Sequence, residues 1–405
     1  MLLSGMTLCG CSIEYIAPEP AAVSTEETTE EITGEVIEEI TEESIIPTPR
    51  KTEPTSENVE VRSTAKTNEF YYSRLDENSQ KLYSEVLYIL SNMVDGSTVS
   101  TLDIEELDRV FLAVMNDHPE IFYVDGYTCT TYKSGDRIKK LKLGSQYTYS
   151  SDYVEKCRER IESYMQQVRE AFKEEYPNGA DDYHTIKFAY DYVITNTDYE
   201  KGAPDNQNIL SVMFGHKSVC QGYAKTIQYI LNDLGIEATL VSGKNVEDGA
   251  AHAWNLVKSD GEYYYLDATW GDPSYSVTMT PNAENMTLPS IDYEFFLMND
   301  DQIALTHIVD NRDSLPLCDA LKDNYYIHEN LYFDSVDEKH LSEVFTKACN
   351  EKLQYITLKC SDEVSYKEMW KYLIEDGNIF TYFSNETRTV SYGENPEHLY
   401  FIFWL

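Results

Sequence analysis

The dipeptide Asp260-Gly261 lies between two strand-like runs, Ala251 to Lys258 and Glu262 to Thr269, and constrains this chain more than any other local signal. Asp-Gly favours the positive φ angles of a two-residue hairpin turn, so the two runs must fold back on each other. With these residues as the turn, Ser259 faces Glu262 and His252 lies opposite Thr269, with Asp267 diagonal to His252 on the same face. Moving the turn to Ser259-Asp260 sets His252 directly opposite Asp267, whereas an odd-length loop puts the two on opposite faces. Asp267 follows Tyr263-Tyr264-Tyr265-Leu266, where a strand buries its side chains, and a buried carboxylate needs a partner. His252, alternating along its strand with Trp254 and Leu256, can supply an imidazole. Taken alone, a strand histidine is more often a satisfied structural residue.

A thiol stands upstream, in Ser218-Val219-Cys220-Gln221-Gly222-Tyr223-Ala224. The spacing predicts a helix from Ser218 to Leu234, closed by Gly235, with Cys220 in its first turn. There the unpaired N–H groups and the positive end of the helix dipole favour thiolate over thiol. A single Cys is more often a small buried hydrophobe. Together, however, Cys220, His252 and Asp267 make a nucleophile, a base and an orienter, suited to attack on an amide or thioester carbonyl. The arrangement requires the Cys220 helix to pack over the face bearing His252. The N–H of Cys220 is one candidate oxyanion donor.

At these residues the chain resembles the transglutaminase-like superfamily, whose core is related to the papain-type cysteine protease fold. The resemblance runs over about 183–275. It includes Asp191-Tyr192, Asn196-Thr197-Asp198-Tyr199, the Cys220-Gln221-Gly222-Tyr223-Ala224 helix start, Leu234-Gly235-Ile236, the strand ending at Gly243, His252-Ala253-Trp254-Asn255 and Asp267-Ala268-Thr269-Trp270-Gly271-Asp272-Pro273. It implies an α+β fold with a transglutaminase-like or papain-like core and Cys220, His252 and Asp267 as catalytic triad. It also implies Trp254, Trp270 and Tyr223 as aromatics lining the substrate groove, although core packing accounts for such residues equally well. Asn116-Asp117-His118-Pro119-Glu120-Ile121-Phe122-Tyr123 is similar to the N-terminal module of exported Gram-positive members. No cofactor and no metal are expected. The chain has no EF-hand-like oxygen spacing, and Cys129, Cys157, Cys318, Cys349 and Cys360 form no CxxC pair with each other or with Cys220. His216, four residues before Cys220, reads as incidental, and neither His184 nor His307 has a supporting motif.

Around this core the composition divides the chain into 1–11, 12–66, 67–180, 181–310 and 311–405. Residues 12–66 hold 14 acidic and 4 basic residues and no aromatic after Tyr15, too little apolar surface to offset the entropy of ordering, so they read as a disordered tether. The reach of such a tether is about 40 Å. Before it, Leu8-Cys9-Gly10-Cys11 resembles the lipobox of bacterial lipoproteins, with Cys11, which follows a small Gly, as the lipidated residue. The competing reading is a frayed terminus with two incidental cysteines, since the first basic residue is Arg50. Residues 67–180 read as a helical module with a few short strands, in which a helix starts after Ser97 behind Thr101 or Asp103. Residues 311–405 read as a small α/β module in which Phe380 to Phe383 is a strand. With 71 acidic and 32 basic residues the net charge is −39, which argues against nucleic acid as a partner and against a basic patch docking on anionic lipid. No stretch of 18 apolar residues spans a bilayer. The expected protein is a lipid-anchored, extracytoplasmic cysteine enzyme acting on peptide or protein amides through a thioacyl intermediate on Cys220. The rival expectation is a non-catalytic surface module that binds peptide, cell-wall or protein partners.

Overall fold

The computed structural model describes residues 69–134, 137–272, 290–383, 389–396 and 398–405; Cys11, the 12–66 segment and Pro273 lie outside them. The described residues form two compact units. One holds residues up to Ala189 together with Glu200–Val241; the other holds Tyr190–Tyr199 together with Ser242–Leu405.

In the first unit, helix α1 (Glu77–Ser91) starts where the Asp76 carboxylate accepts the N–H groups of Asn78 and Ser79. Strand β1 (Ser97–Val99) precedes helix α2 (Ile104–Asp117), whose N-cap is Asp103. The helix is capped by Asp103, one of the two residues expected, while Ser97–Val99 ahead of it joins a sheet rather than the helix. That sheet has the order β1-β3-β2 and is antiparallel, with β2 (Val124–Ser134) and β3 (Arg137–Tyr147) each 11 residues long. These are not the few short strands expected. Gly126 and Gly144 read locally as turn residues, yet both fall within strands, and Gly144 lies where an added Cβ would come within 2.9 Å of Thr128 Oγ1. Helix α3 (Ser151–Glu175), capped by Ser150, follows. Helix α4 (Asp182–Thr195) begins in this unit, and α5 (Cys220–Asp233) buries nearly every residue after its first two, including Lys225, Gln228 and Asn232.

The Asn116–Tyr123 motif has a structural task here. Buried Asp117 accepts the backbone N–H groups of Tyr71 and Tyr72 at 3.0 and 2.9 Å and the Tyr83 hydroxyl at 3.1 Å, and burial pushes its pKa up to about 6. From α5, the Gln228 amide donates to the Asn116 carbonyl at 2.7 Å. The motif therefore ties the N-terminal segment of the unit and helix α5 to one corner.

Strand β4 (Ala238–Asn245), of which the second unit holds the part from Ser242 on, forms with that unit's β5 (Ala251–Ser259), β6 (Glu262–Leu266) and β7 (His307–Val309) a sheet of order β6-β5-β4-β7. The β5–β6 turn is the expected one: Asp260 and Gly261 have φ of 48° and 90°, and the ladder runs from Ser259↔Glu262 to Asn255↔Leu266. Strand β7 lies antiparallel to β4, with Gly243 opposite Val309 and Asn245 opposite His307. A second sheet, of order β8-β9-β11-β10, contains β8 (Tyr332–Phe333), β9 (Tyr355–Cys360), β10 (Ser391–Asn395) and β11 (Tyr400–Trp404); β8 and β9 are parallel and the other pairs antiparallel. With α6 (Glu338–Glu351) and α7 (Glu363–Trp370) it encloses its own core of Leu341, Phe345, Leu358, Met369, Phe401 and Phe403. Phe380 to Phe383, expected as a strand, instead ends a 3-10 turn over Asn378–Tyr382 that follows Gly377 at φ 71°. The whole is α+β, as expected. Among the described residues no helix is long and apolar enough to cross a membrane.

Gly243 holds the β4–β7 edge together through its missing side chain. An added Cβ would lie 2.1 Å from the Ile308 carbonyl oxygen and 2.6 Å from the Trp254 ring. Gly243→Ala is therefore expected to lower stability by about 2–3 kcal/mol, read as a lower denaturant midpoint at unchanged slope. An unchanged midpoint would mean that β7 moves off freely.

Candidate functional site

Asp267 directly follows strand β6, at the point where the chain turns away from the ladder. Its N–H donates to the Phe295 carbonyl at 3.0 Å, and its carbonyl accepts the Gly271 N–H at 3.0 Å. Its carboxylate closes the same turn, with Oδ1 accepting the N–H groups of Thr269 at 2.8 Å and Trp270 at 3.2 Å. That leaves Oδ2 for side chains. His252, on β5, places Nε2 at 2.7 Å from Oδ2, and both side chains are almost fully buried. The expected meeting of these two residues across the hairpin is thus present, in the register the Asp-Gly turn dictates.

A second imidazole also reaches Oδ2. His307, the first residue of β7, places Nε2 at 3.0 Å from the same oxygen, and its Nδ1 lies 2.7 Å from the Thr306 hydroxyl. The His307 ring sits between Trp254 and Trp270, with ring centroids 4.7 Å away on each side, and 5.3 Å from His252. No motif marked His307 in the sequence. The available clue lies elsewhere, at Gly243, since a glycine inside a strand often marks the close approach of another backbone.

The electrostatics follow from these contacts. Burial alone would push the Asp267 carboxyl up, but the two imidazoles, His252 foremost, outweigh it and hold the group well below the usual carboxylate range. For His307 the balance goes the other way: burial pushes the ring down and the pull of Asp267 only partly offsets it, so its pKa falls below the ordinary histidine value. An ionised carboxylate only accepts, so both rings present Nε2–H to Oδ2 and carry their lone pairs on Nδ1. In His307 that lone pair accepts a hydrogen bond from the Thr306 hydroxyl.

His252, Asp267 and His307 also form the one group of three His, Cys or acidic side chains among the described residues whose ligand atoms lie within 4.8 Å of one another. Ligands bound at about 2.0–2.1 Å around a tetrahedral zinc would sit about 3.3 Å apart. The observed N···O separations of 2.7 and 3.0 Å are those of shared protons.

Cys220 belongs to the other unit, where it is the first residue of α5 and is partly exposed. Val219 precedes it in an extended conformation and offers no side-chain cap, so the first turn keeps unpaired N–H groups next to the thiol. Gly222 cannot be replaced lightly, because an added Cβ would fall 2.0 Å from Ser218 Oγ. That hydroxyl is already bound to Ser211 Oγ at 2.7 Å and to the Asn206 carbonyl at 3.1 Å. Trp254, Trp270 and Tyr223 are 0%, 6% and 1% exposed and pack as core side chains. His216 is exposed in a left-handed turn at φ 54°, and His184 pairs with Asp181 at 2.6 Å on the surface.

Residues 170–268 match the model of the Transglutaminase-like superfamily, a span that contains Cys220, His252 and Asp267. The α+β fold therefore has a transglutaminase-like core. Similar solved structures include a TGase, 20% identical with a TM-score of 0.25, the match covering 36% of this chain and 44% of that one. A candidate cysteine protease from Cytophaga hutchinsonii is 12% identical with a TM-score of 0.23, covering 36% and 62%. The periplasmic domain of TgpA from Pseudomonas aeruginosa bound to ethylmercury is 16% identical with a TM-score of 0.21, covering 33% and 56%. The chain thus spans less than two thirds of each of these structures. No curated protein matches it significantly.

Because the folded pKa of Asp267 is depressed, its contribution to stability is complete above the unfolded carboxylate value and is lost as pH falls through the folded one. Asp267→Asn is expected to cost about 3 kcal/mol near neutral pH. The gap from the parent should narrow as pH drops below about 4 in denaturant titrations. A gap that stays constant down to acid pH would mean that folding leaves the carboxyl pKa where it is in the unfolded chain.

Proposed function

We propose that this chain is a cysteine-dependent enzyme that hydrolyses or transfers acyl groups of peptide or protein amides, with Cys220 as nucleophile, His252 as base and acid, and Asp267 as the group that orients His252. The observation that supports it most is the buried His252–Asp267 hydrogen bond inside a segment matching the Transglutaminase-like superfamily model. With Nε2–H on Asp267, His252 takes the Cys220 thiol proton at Nδ1. The thiolate attacks the amide carbon, and the carbonyl electron pair moves onto oxygen, where the Cys220 N–H is the proposed donor. The C–N bond then breaks as His252 hands its proton to the leaving amine, which leaves a thioester on Cys220. Water or a second amine, deprotonated by His252, attacks that thioester and restores the thiol. Hydrolysis is the favoured outcome, because transfer needs a second binding groove. The same reading puts the enzyme outside the cytoplasm, tethered by a lipid on Cys11, with envelope peptides or proteins as substrates.

Cys220→Ala is expected to abolish release of amine from peptide amides and to leave the fold intact. Dibromoacetone, which bridges a thiol and an imidazole a few ångströms apart, should yield a peptide adduct joining Cys220 to His252 in mass spectrometry. Retained turnover in the Cys220→Ala variant, or alkylation of the thiol without any bridge to His252, would defeat this mechanism. Palmitate labelling of cells should mark the chain and be lost on Cys11→Ser; equal labelling of both would rule out Cys11 as the anchor.

A further inference from the structure

Asp267 is overcommitted for a carboxylate that serves one base. Two backbone N–H groups take Oδ1, and two imidazole N–H groups share Oδ2. His307 is no chance neighbour of this site. Its side chain is wholly buried, its ring is held between two tryptophans, its far nitrogen is bound by Thr306, and its strand reaches β4 only because residue 243 has no side chain.

The geometry points to His307 as a positioning residue: by donating Nε2–H to the Asp267 oxygen that His252 also uses, it fixes the His252 tautomer and weakens the carboxylate's hold on the His252 proton. The role rests on the function proposed above, in which His252 must release that proton to a leaving amine. A carboxylate whose charge is spread over four donors stabilises an imidazolium less than one bound to a single ring. His252 is thereby kept a base that gives its proton back. The titratable groups that hydrogen-bond Asp267 within this unit are His252, His307 and Tyr190. Tyr190 is a fully buried phenol kept neutral by burial, and its hydroxyl donates to the carbonyls of Asp292 at 2.7 Å and Asp267 at 3.4 Å, not to the carboxylate. The only other ring donor on the carboxylate among the described residues is therefore His307.

The test uses the full chain with 15N-labelled histidine and reads imidazole nitrogen shifts across pH in the parent, His307→Phe and His307→Gln. Phe keeps a ring between the tryptophans but removes the donor, whereas Gln restores an N–H. His307→Phe is expected to raise the His252 pKa by about 0.5–1 unit and to mix its tautomers. His307→Gln is expected to return both toward the parent. If His307→Phe does not fold, Thr306→Val, which removes only the hydroxyl on His307 Nδ1, should move the His252 titration in the same direction by a smaller step. An unchanged His252 titration in the folded Phe variant, or in Thr306→Val, would overturn the role, as would a Gln variant identical to the Phe variant. The readout needs no reaction at the thiol. A Cys220→Ala chain that keeps its activity while His252 still responds to residue 307 would sink the proposed function and leave the coupling between the two rings standing.

Discussion

One ionised carboxylate, shut away from water, sets the terms for the four-stranded sheet around it. A buried charge of this kind is tolerable only when hydrogen bonds replace its hydration, and Asp267 collects four. Two come from its own turn and cost the fold little. The other two come from histidines 15 residues upstream and 40 residues downstream, so the charge is satisfied only when β5, β6 and β7 are all in register. Slipping any of these strands by one residue would turn a donor to the opposite face and leave the carboxylate short of a partner. The carboxylate therefore polices the assembly of the sheet as well as orienting an imidazole.

How much of this was legible in the sequence depended on how local each determinant is. The β5–β6 hairpin was readable because a two-residue turn, a run of alternating side chains and a misplaced acid all fall within 20 residues, and the register placed His252 beside Asp267. The start of α5 at Cys220 was readable for the same reason, within a residue or two. His307 was not. Its strand is three residues long and gains its meaning only from pairing with β4, more than 60 residues earlier, a contact that no periodicity announces. Strands β2 and β3 were underread because Gly126 and Gly144 punctuate them, although in an antiparallel ladder a glycine can simply make room for a neighbour such as Thr128. Phe380 to Phe383 misled in the opposite sense: an aromatic run following a left-handed glycine closed into a tight turn.

Glycine does similar work at two places, beside Cys220 and beside His307. Gly222 lets the start of α5 settle onto a knot of serine hydroxyls, Ser218 with Ser211, and so fixes the direction in which the helix leaves Cys220. Gly243 lets β7 lie close against β4 and Trp254, which brings His307 to Asp267. In both cases the sequence feature is an absence, and its purpose is visible only once the atoms that fill the space are known. Such positions are poor guides to function when read singly and good ones when a polar group is already waiting nearby.

Two imidazoles on one oxygen also raise the question of which ring takes a proton. Both cannot be charged, because their centroids are 5.3 Å apart and both rings are almost wholly buried, where like charges repel strongly. Burial decides between them. The His307 side chain has no exposure at all, and its second nitrogen is engaged by the Thr306 hydroxyl, which must turn its proton away if that nitrogen is to be protonated. His252 keeps a small exposed surface and carries its lone pair on the nitrogen facing away from the carboxylate. Burial therefore keeps His307 neutral, donating to Asp267 through Nε2–H and accepting from Thr306 at Nδ1. The two rings differ here by one hydroxyl and a few per cent of exposed surface.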